Sequence, residues 1–271
     1  SYYSSEAHRA RPNSIQEMTK NGTTITMLLI IFALLVPLTN SLPTSPPSRR
    51  TLLATGLLLP PYACCASYAC KNLRREHTYP ASFNGKLAST FGSVTRRPGR
   101  RILELGGGKN LVSILEAGCY SGEEHLVVVD PVPPSPSKRE EAEALFAGRG
   151  GSVTFQDSLD AEGLTPPYDA ATSSLTLCSV ADPVETLRKL SSLLKHEAPY
   201  AFVEHVASDD TLFSLQQRVF DPLQQRLANG CHLQRRIQDD ISSVFSRVEF
   251  KRSFEEDMWP ISEQINGVAY I

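Results

Sequence analysis

Three consecutive glycines, Gly106 to Gly108, stand between the apolar run "RILEL" at 101–105 and "LVSILEAG" at 111–118, whose spacing is helical and which stops on Gly118. A strand that turns through glycines into a helix places a ligand site at the carboxyl end of that strand. The pattern continues downstream. Strand candidates occupy 125–130, 152–156, 169–177 and 200–206, and helical stretches 138–148 and 183–195 lie among them. In the second of these helices Val184, Leu187, Leu190 and Leu194 share a face. Such alternation predicts an α/β fold, a parallel sheet covered by helices on both faces. The last third differs. It reads as a helix from about Asp210 to Leu227, a shorter one near 233–242, and two strands, "VFSRVEF" and "NGVAYI", paired antiparallel at an edge.

With 271 residues, 41% of them apolar, the chain can bury one domain and still carry extra segments. A formal net charge of -2 gives no footprint for nucleic acid. The local cluster "RRPGRR", 96–101, reads either as a solvated loop or as a contact with an anionic membrane surface. The six cysteines form no CxxC pair, so the spacing points to buried thiols rather than to a disulfide framework or a metal site.

Residues 1–70 read as a targeting or hydrophobic region, 71–98 as a linker with a helix that lids the site, and 99–271 as the α/β domain that carries the site. "MLLIIFALLVPL", 27–38, has the length of a signal-peptide core, which makes Met27 a candidate start. A second uncharged run, Thr51 to Cys70, has the length of a membrane span, although Pro60 and Pro61 interrupt it. The two readings are an anchor of the endoplasmic-reticulum type and a bipartite plastid presequence, the latter suggested by the arginine pair Arg49–Arg50.

The glycine turn itself argues against a phosphate. A dinucleotide fingerprint needs a third glycine where Leu111 stands, and no phosphate-loop lysine–serine pair follows Lys109. Glu104, two residues ahead of the glycines, would repel a pyrophosphate but suits an ammonium group. Asp130, before Pro131 at the end of the second strand, suits two ribose hydroxyls. Asp160, before Ala161 and after the third strand, suits the amino group of adenine, with Asp157 as its competitor. An amino acid, a ribose and an adenine together make S-adenosylmethionine. Glu104, Gly106, Gly107, Gly108, Asp130, Pro131, Asp160 and Ala161 are therefore the candidate cofactor contacts.

The motifs "ILELGGGKN", "VVVDPVP" and "LDAEGL" resemble those of class I S-adenosylmethionine-dependent methyltransferases. "LTLCSVADPVETLRKLSSLL", "AFVEHV", "QQRVFDPLQQRLANGCHLQRR" and "INGVAYI" resemble the methyltransferase-like protein 7 group, over roughly 85–271. The resemblance implies a Rossmann-like, seven-stranded and mostly parallel sheet with one reversed strand. It also implies an N-terminal membrane anchor and a thiol acceptor. Asn110 stands where the family's first motif has its third glycine.

Methyl transfer from a sulfonium is an in-line displacement, so the protein chiefly aligns the reactants and excludes water. A thiol titrates near pH 8–9 and needs only a weak base. His205, at the end of the fifth strand, is the candidate catalytic residue, and Asp221 and Cys231 are candidates for the acceptor pocket. The expected partner is a small apolar acceptor, most simply a thiol. The alternatives are a lipophilic quinol or phenol, and a non-catalytic methyltransferase-shaped subunit.

Overall fold

The computed structural model describes residues 79–108 and 111–271, apart from the side chains of Val112 and Ser113. Both apolar N-terminal runs, and the Lys109–Asn110 pair of the glycine turn, lie outside the described residues. Among the described residues no helix is long and apolar enough to cross a membrane.

The elements run α1 (Ala81–Thr95), β1 (Arg101–Leu105), α2 (Leu111–Glu116), β2 (His125–Val129), α3 (Pro136–Ala147), β3 (Ser152–Gln156), β4 (Ala170–Ser174), α4 (Pro183–Ser192), β5 (Pro199–His205), α5 (Thr211–Leu227), α6 (Ile237–Val244), β6 (Arg247–Phe254) and β7 (Glu263–Tyr270). They build one seven-stranded sheet in the order β3-β2-β1-β4-β5-β7-β6. All neighbours up to β5 pair parallel, while β7 pairs antiparallel with both β5 and β6. The single reversed strand is thus β7, inserted between β5 and β6. The sequence pattern for the late pair is correct in direction, though β6 runs further towards the C-terminus than expected and starts later, and β7 starts three residues earlier.

Alternation along the strands divides the core into two layers. Ile102, Leu126, Val128, Ala170, Ala201 and Val203 face α1, α2 and α3. Leu103, Leu105, Ala171, Tyr200, Phe202 and Ile265 face α4 and α6. Helix α4 starts where Asp182 caps it, its side chain accepting from the Glu185 amide at 3.0 Å, and Pro183 begins the first turn. It buries Leu187 and Leu190 as their spacing requires.

A helix does form within the stretch read as a linker. Helix α1 lays Phe83, Leu87, Phe91 and Val94 on the sheet, packed against β4, β5 and β7. Each such side chain contributes about 1.5–3 kcal/mol over its exposed state. Lys86 ties the helix to the far end of the sheet through an ion pair with Glu255 at 2.6 Å and hydrogen bonds to Ser253 and Gln264.

Candidate active site

The parallel strands β1 to β4 end along one edge, and the cleft opens there. It holds about 300 Å³ and is lined by Leu105 at the end of β1 and Gly106 after it, Val129 and Pro131 around the end of β2, Asp157 to Asp160 after β3, Thr176 and Val180 to Asp182 after β4, and Glu185, Thr186 and Lys189 of α4. That is the low end of the range for small-molecule sites.

The glycine turn follows from two close approaches. Gly106 has φ +78°, and a Cβ there would meet the Thr176 hydroxyl oxygen at 2.0 Å. That hydroxyl donates to the Leu105 carbonyl and pins the β4 loop over the turn. At Gly108 a Cβ would lie 2.8 Å from the Val132 carbonyl oxygen and 2.9 Å from Asp130 Oδ2. The chain passes this close because Asp130 takes the Gly108 amide at 3.0 Å on one oxygen and the Val132 amide at 2.7 Å on the other. Asp130 thereby couples the turn after β1 to the turn after β2.

Glu104 is completely buried. Its Oε2 accepts from Tyr120 and Thr172, and the latter lies opposite it in the β1–β4 register. Its Oε1 has no partner among the described residues. Burial lifts this carboxyl to about 7, against the pull of the Thr172 and Tyr120 hydroxyls and with some help from Glu204. A buried carboxylate oxygen left unpaired costs free energy, and a cationic group beside it recovers that cost.

Asp160 is exposed at the rim and ion-paired to Lys189 at 2.6 Å. Asp157 lines the same wall. Of the eight residues expected to contact the cofactor, Gly106, Pro131 and Asp160 line the cleft, while the side chains of Glu104 and Asp130 stand behind the glycine turn. Gly107 and Ala161 are chain neighbours of lining residues and Gly108 is one residue further along, and none of the three lines the cleft itself.

On the other side of the β4 loop, Glu204 accepts from the Thr176 amide at 2.9 Å, the Leu177 amide at 3.2 Å and the Ser173 hydroxyl at 2.8 Å. Burial raises it to about 7 against these donors and His205. His205 is fully buried, and its Nε2 lies 3.0 Å from Cys231 Sγ. Cys178 belongs to the same group. Asp221 has both oxygens engaged, by the Leu233 amide and by Gln225, each at 2.6 Å, so it fastens α5 to the loop that carries Cys231. The spacing missed Tyr120, Thr172, Thr176, Cys178 and Lys189. Thr172 is set opposite Glu104 by the β1–β4 register, which the sequence does not show, and nothing local marks the others.

Residues 75–257 match the model of a family described as a methyltransferase domain. The chain belongs to that family. It is 28% identical over 186 residues to the thiol S-methyltransferase TMT1B of Rattus norvegicus, covering 62% of this chain and 75% of that protein. Over 149 residues it is 26% identical to the human thiol S-methyltransferase TMT1A, covering 49% of this chain and 59% of the relative. Among solved structures, a putative O-methyltransferase from Nostoc punctiforme shares the fold with TM-score 0.50 at 17% identity, over 70% of this chain and 56% of that one. The chain is a methyltransferase, and its cofactor is S-adenosylmethionine. The residues present fit that cofactor, because the unpaired Glu104 oxygen beside the glycine turn is an acceptor that an ammonium satisfies and a phosphate does not.

Proposed function

We propose that this methyltransferase acts on the sulfur of a small apolar thiol. Both curated relatives reported above bear the name thiol S-methyltransferase. The observation that carries the reading is the character of the β4–β5 end: it offers two cysteines and a histidine among apolar neighbours, with both nearby carboxylates, Glu204 and Asp221, already held by amides. A phenol or alcohol acceptor needs a stronger free base than this.

Bound S-adenosylmethionine supplies a methyl group activated by its sulfonium. The chain does the rest. Glu104 Oε1 holds the amino end, Gly106 to Gly108 let the backbone approach it, Asp130 receives the ribose hydroxyls, and Asp160 or Asp157 reads the adenine amino group. Pro131 and Ala161 flank these contacts. His205 and Cys231 shape the acceptor side, with Asp221 holding their loop in place. Attachment to a membrane through the two apolar runs before residue 71 belongs to the same proposal, supported by their composition.

A labelled-donor assay on parallel panels of alkyl thiols, quinols and phenols tests the acceptor. Transfer to thiols at least tenfold faster than to phenols is expected, and the reverse order replaces the thiol reading with a quinol or phenol one. Donor binding without turnover on either panel favours a non-catalytic subunit.

A further inference from the structure

We infer that Cys178, His205 and Cys231 form a zinc site. Their ligand atoms all lie within 4.8 Å of one another, and they are the only such group of three among the described residues. They come from three separate places: the loop after β4, the last residue of β5, and the loop after α5. The fold therefore brings together residues that no sequence spacing links.

The side chains are 1%, 0% and 5% exposed. As thiols and imidazole alone they make a poor buried cluster, since a thiol is a weak donor and a weak acceptor and repays little of the cost of burying a histidine. Among the described residues the His205 ring hydrogen-bonds only to sulfur, at Nε2, and its Nδ1 has no partner. Gln224 adds a second hint. Its Nε2 donates to Cys231 Sγ at 3.4 Å, the kind of support that suits a metal-bound thiolate.

Charge and donor type select the metal. Zn²⁺ with two thiolates and a neutral imidazole is a neutral centre, and it can be buried without a counter-ion. Binding expels the two thiol protons to solvent and changes no oxidation state. Two sulfurs and one nitrogen, with no free carboxylate, exclude Mg²⁺ and Ca²⁺ by softness. In a tetrahedral zinc centre the ligand atoms stand about 3.5–3.8 Å apart, so His205 and Cys231 need separate by roughly half an ångström from their present contact. Three protein ligands leave a fourth position. A water takes it, or the sulfur of an acceptor thiol, and this last clause alone rests on the function proposed above.

Elemental analysis of the full chain, purified in reductant after growth with zinc and dialysed against a weak chelator, should find close to one zinc per chain. Cobalt(II) exchanged into it should give sulfur-to-metal charge transfer and the visible bands of tetrahedral coordination. Cys178→Ser combined with Cys231→Ser should lose at least nine-tenths of the metal. Replacing Cys64, Cys65 and Cys70 by serine should lose none. Calorimetry with S-adenosylhomocysteine serves as the check on folding. Protein that binds this ligand yet holds no zinc and gives no cobalt spectrum overturns the inference, and so does a disulfide between Cys178 and Cys231 in protein made without oxidant. If the cysteine variants fail to fold, the cobalt spectrum of the unaltered chain decides alone. A zinc-loaded enzyme that ignores thiols sinks the acceptor reading and leaves the metal site standing.

Discussion

Glu104 has one oxygen bound by two hydroxyls and the other idle, and that asymmetry makes it a reporter for the donor site. Its folded value of about 7 exceeds the ordinary 4.5, so folding favours the protonated acid. The contribution to stability is then full below about pH 4.5 and is lost as pH rises through 7. Urea midpoints should fall over that window and level off above it, and Glu104→Gln should shrink the fall to the part that Glu204, also raised to about 7, contributes. A flat profile in the unaltered protein contradicts the burial argument. Ligand binding has the opposite sign. An ammonium beside Oε1 favours the carboxylate, so affinity for S-adenosylhomocysteine should rise from pH 6 to pH 8, by up to about tenfold per unit below 7. Calorimetry across that range checks it, and Glu104→Gln should respond little to pH. Asp130 makes a simpler prediction. Asp130→Ala removes the acceptor that joins the two turns and is proposed to meet the ribose, and it should weaken the same binding by about 1–3 kcal/mol. Unchanged affinity would move the ribose elsewhere.

Helix α1 forms where the sequence reading expects a linker with a helix, and what composition conceals is its place in the core. The stretch before residue 99 looks polar, because charged and small residues surround four apolar positions spaced three or four apart. Those four bury themselves against β4, β5 and β7, so the helix is a layer of the core. Phe91→Ala should therefore cost about 3–5 kcal/mol in denaturant unfolding. A loss below 1 kcal/mol would mean that the helix docks only loosely. The strands were more legible. β1 and β3 occupy the spans the sequence marks and β2 does so within a residue, because short apolar runs between turn residues are legible both in the largely buried β1 and β2 and in the edge strand β3. The insertion of β7 between β5 and β6 was not legible, since strand order depends on crossovers that no local pattern encodes. The glycine turn and its acids could be read because they lie within single strand ends. The partners of Glu104, and the convergence of Cys178, His205 and Cys231, depend on register and topology and could not.

All seven strands, both apolar layers and the cleft fall within residues 79–271. A chain beginning at Lys71 should keep α1, fold cooperatively and bind the donor site's ligands. Binding to the native state alone stabilises it by mass action, about 2.7 kcal/mol at a hundredfold excess over Kd. For a domain of this size that amounts to a rise of roughly 5–10 °C in Tm with saturating S-adenosylhomocysteine. Differential scanning calorimetry of the shortened chain measures both properties at once. Loss of the cooperative transition would show that the N-terminal region is part of the folding unit. A cooperative transition that the ligand leaves unmoved would show a sound fold whose cleft does not hold the donor, since a ligand with no preference for the native state cannot shift its melting.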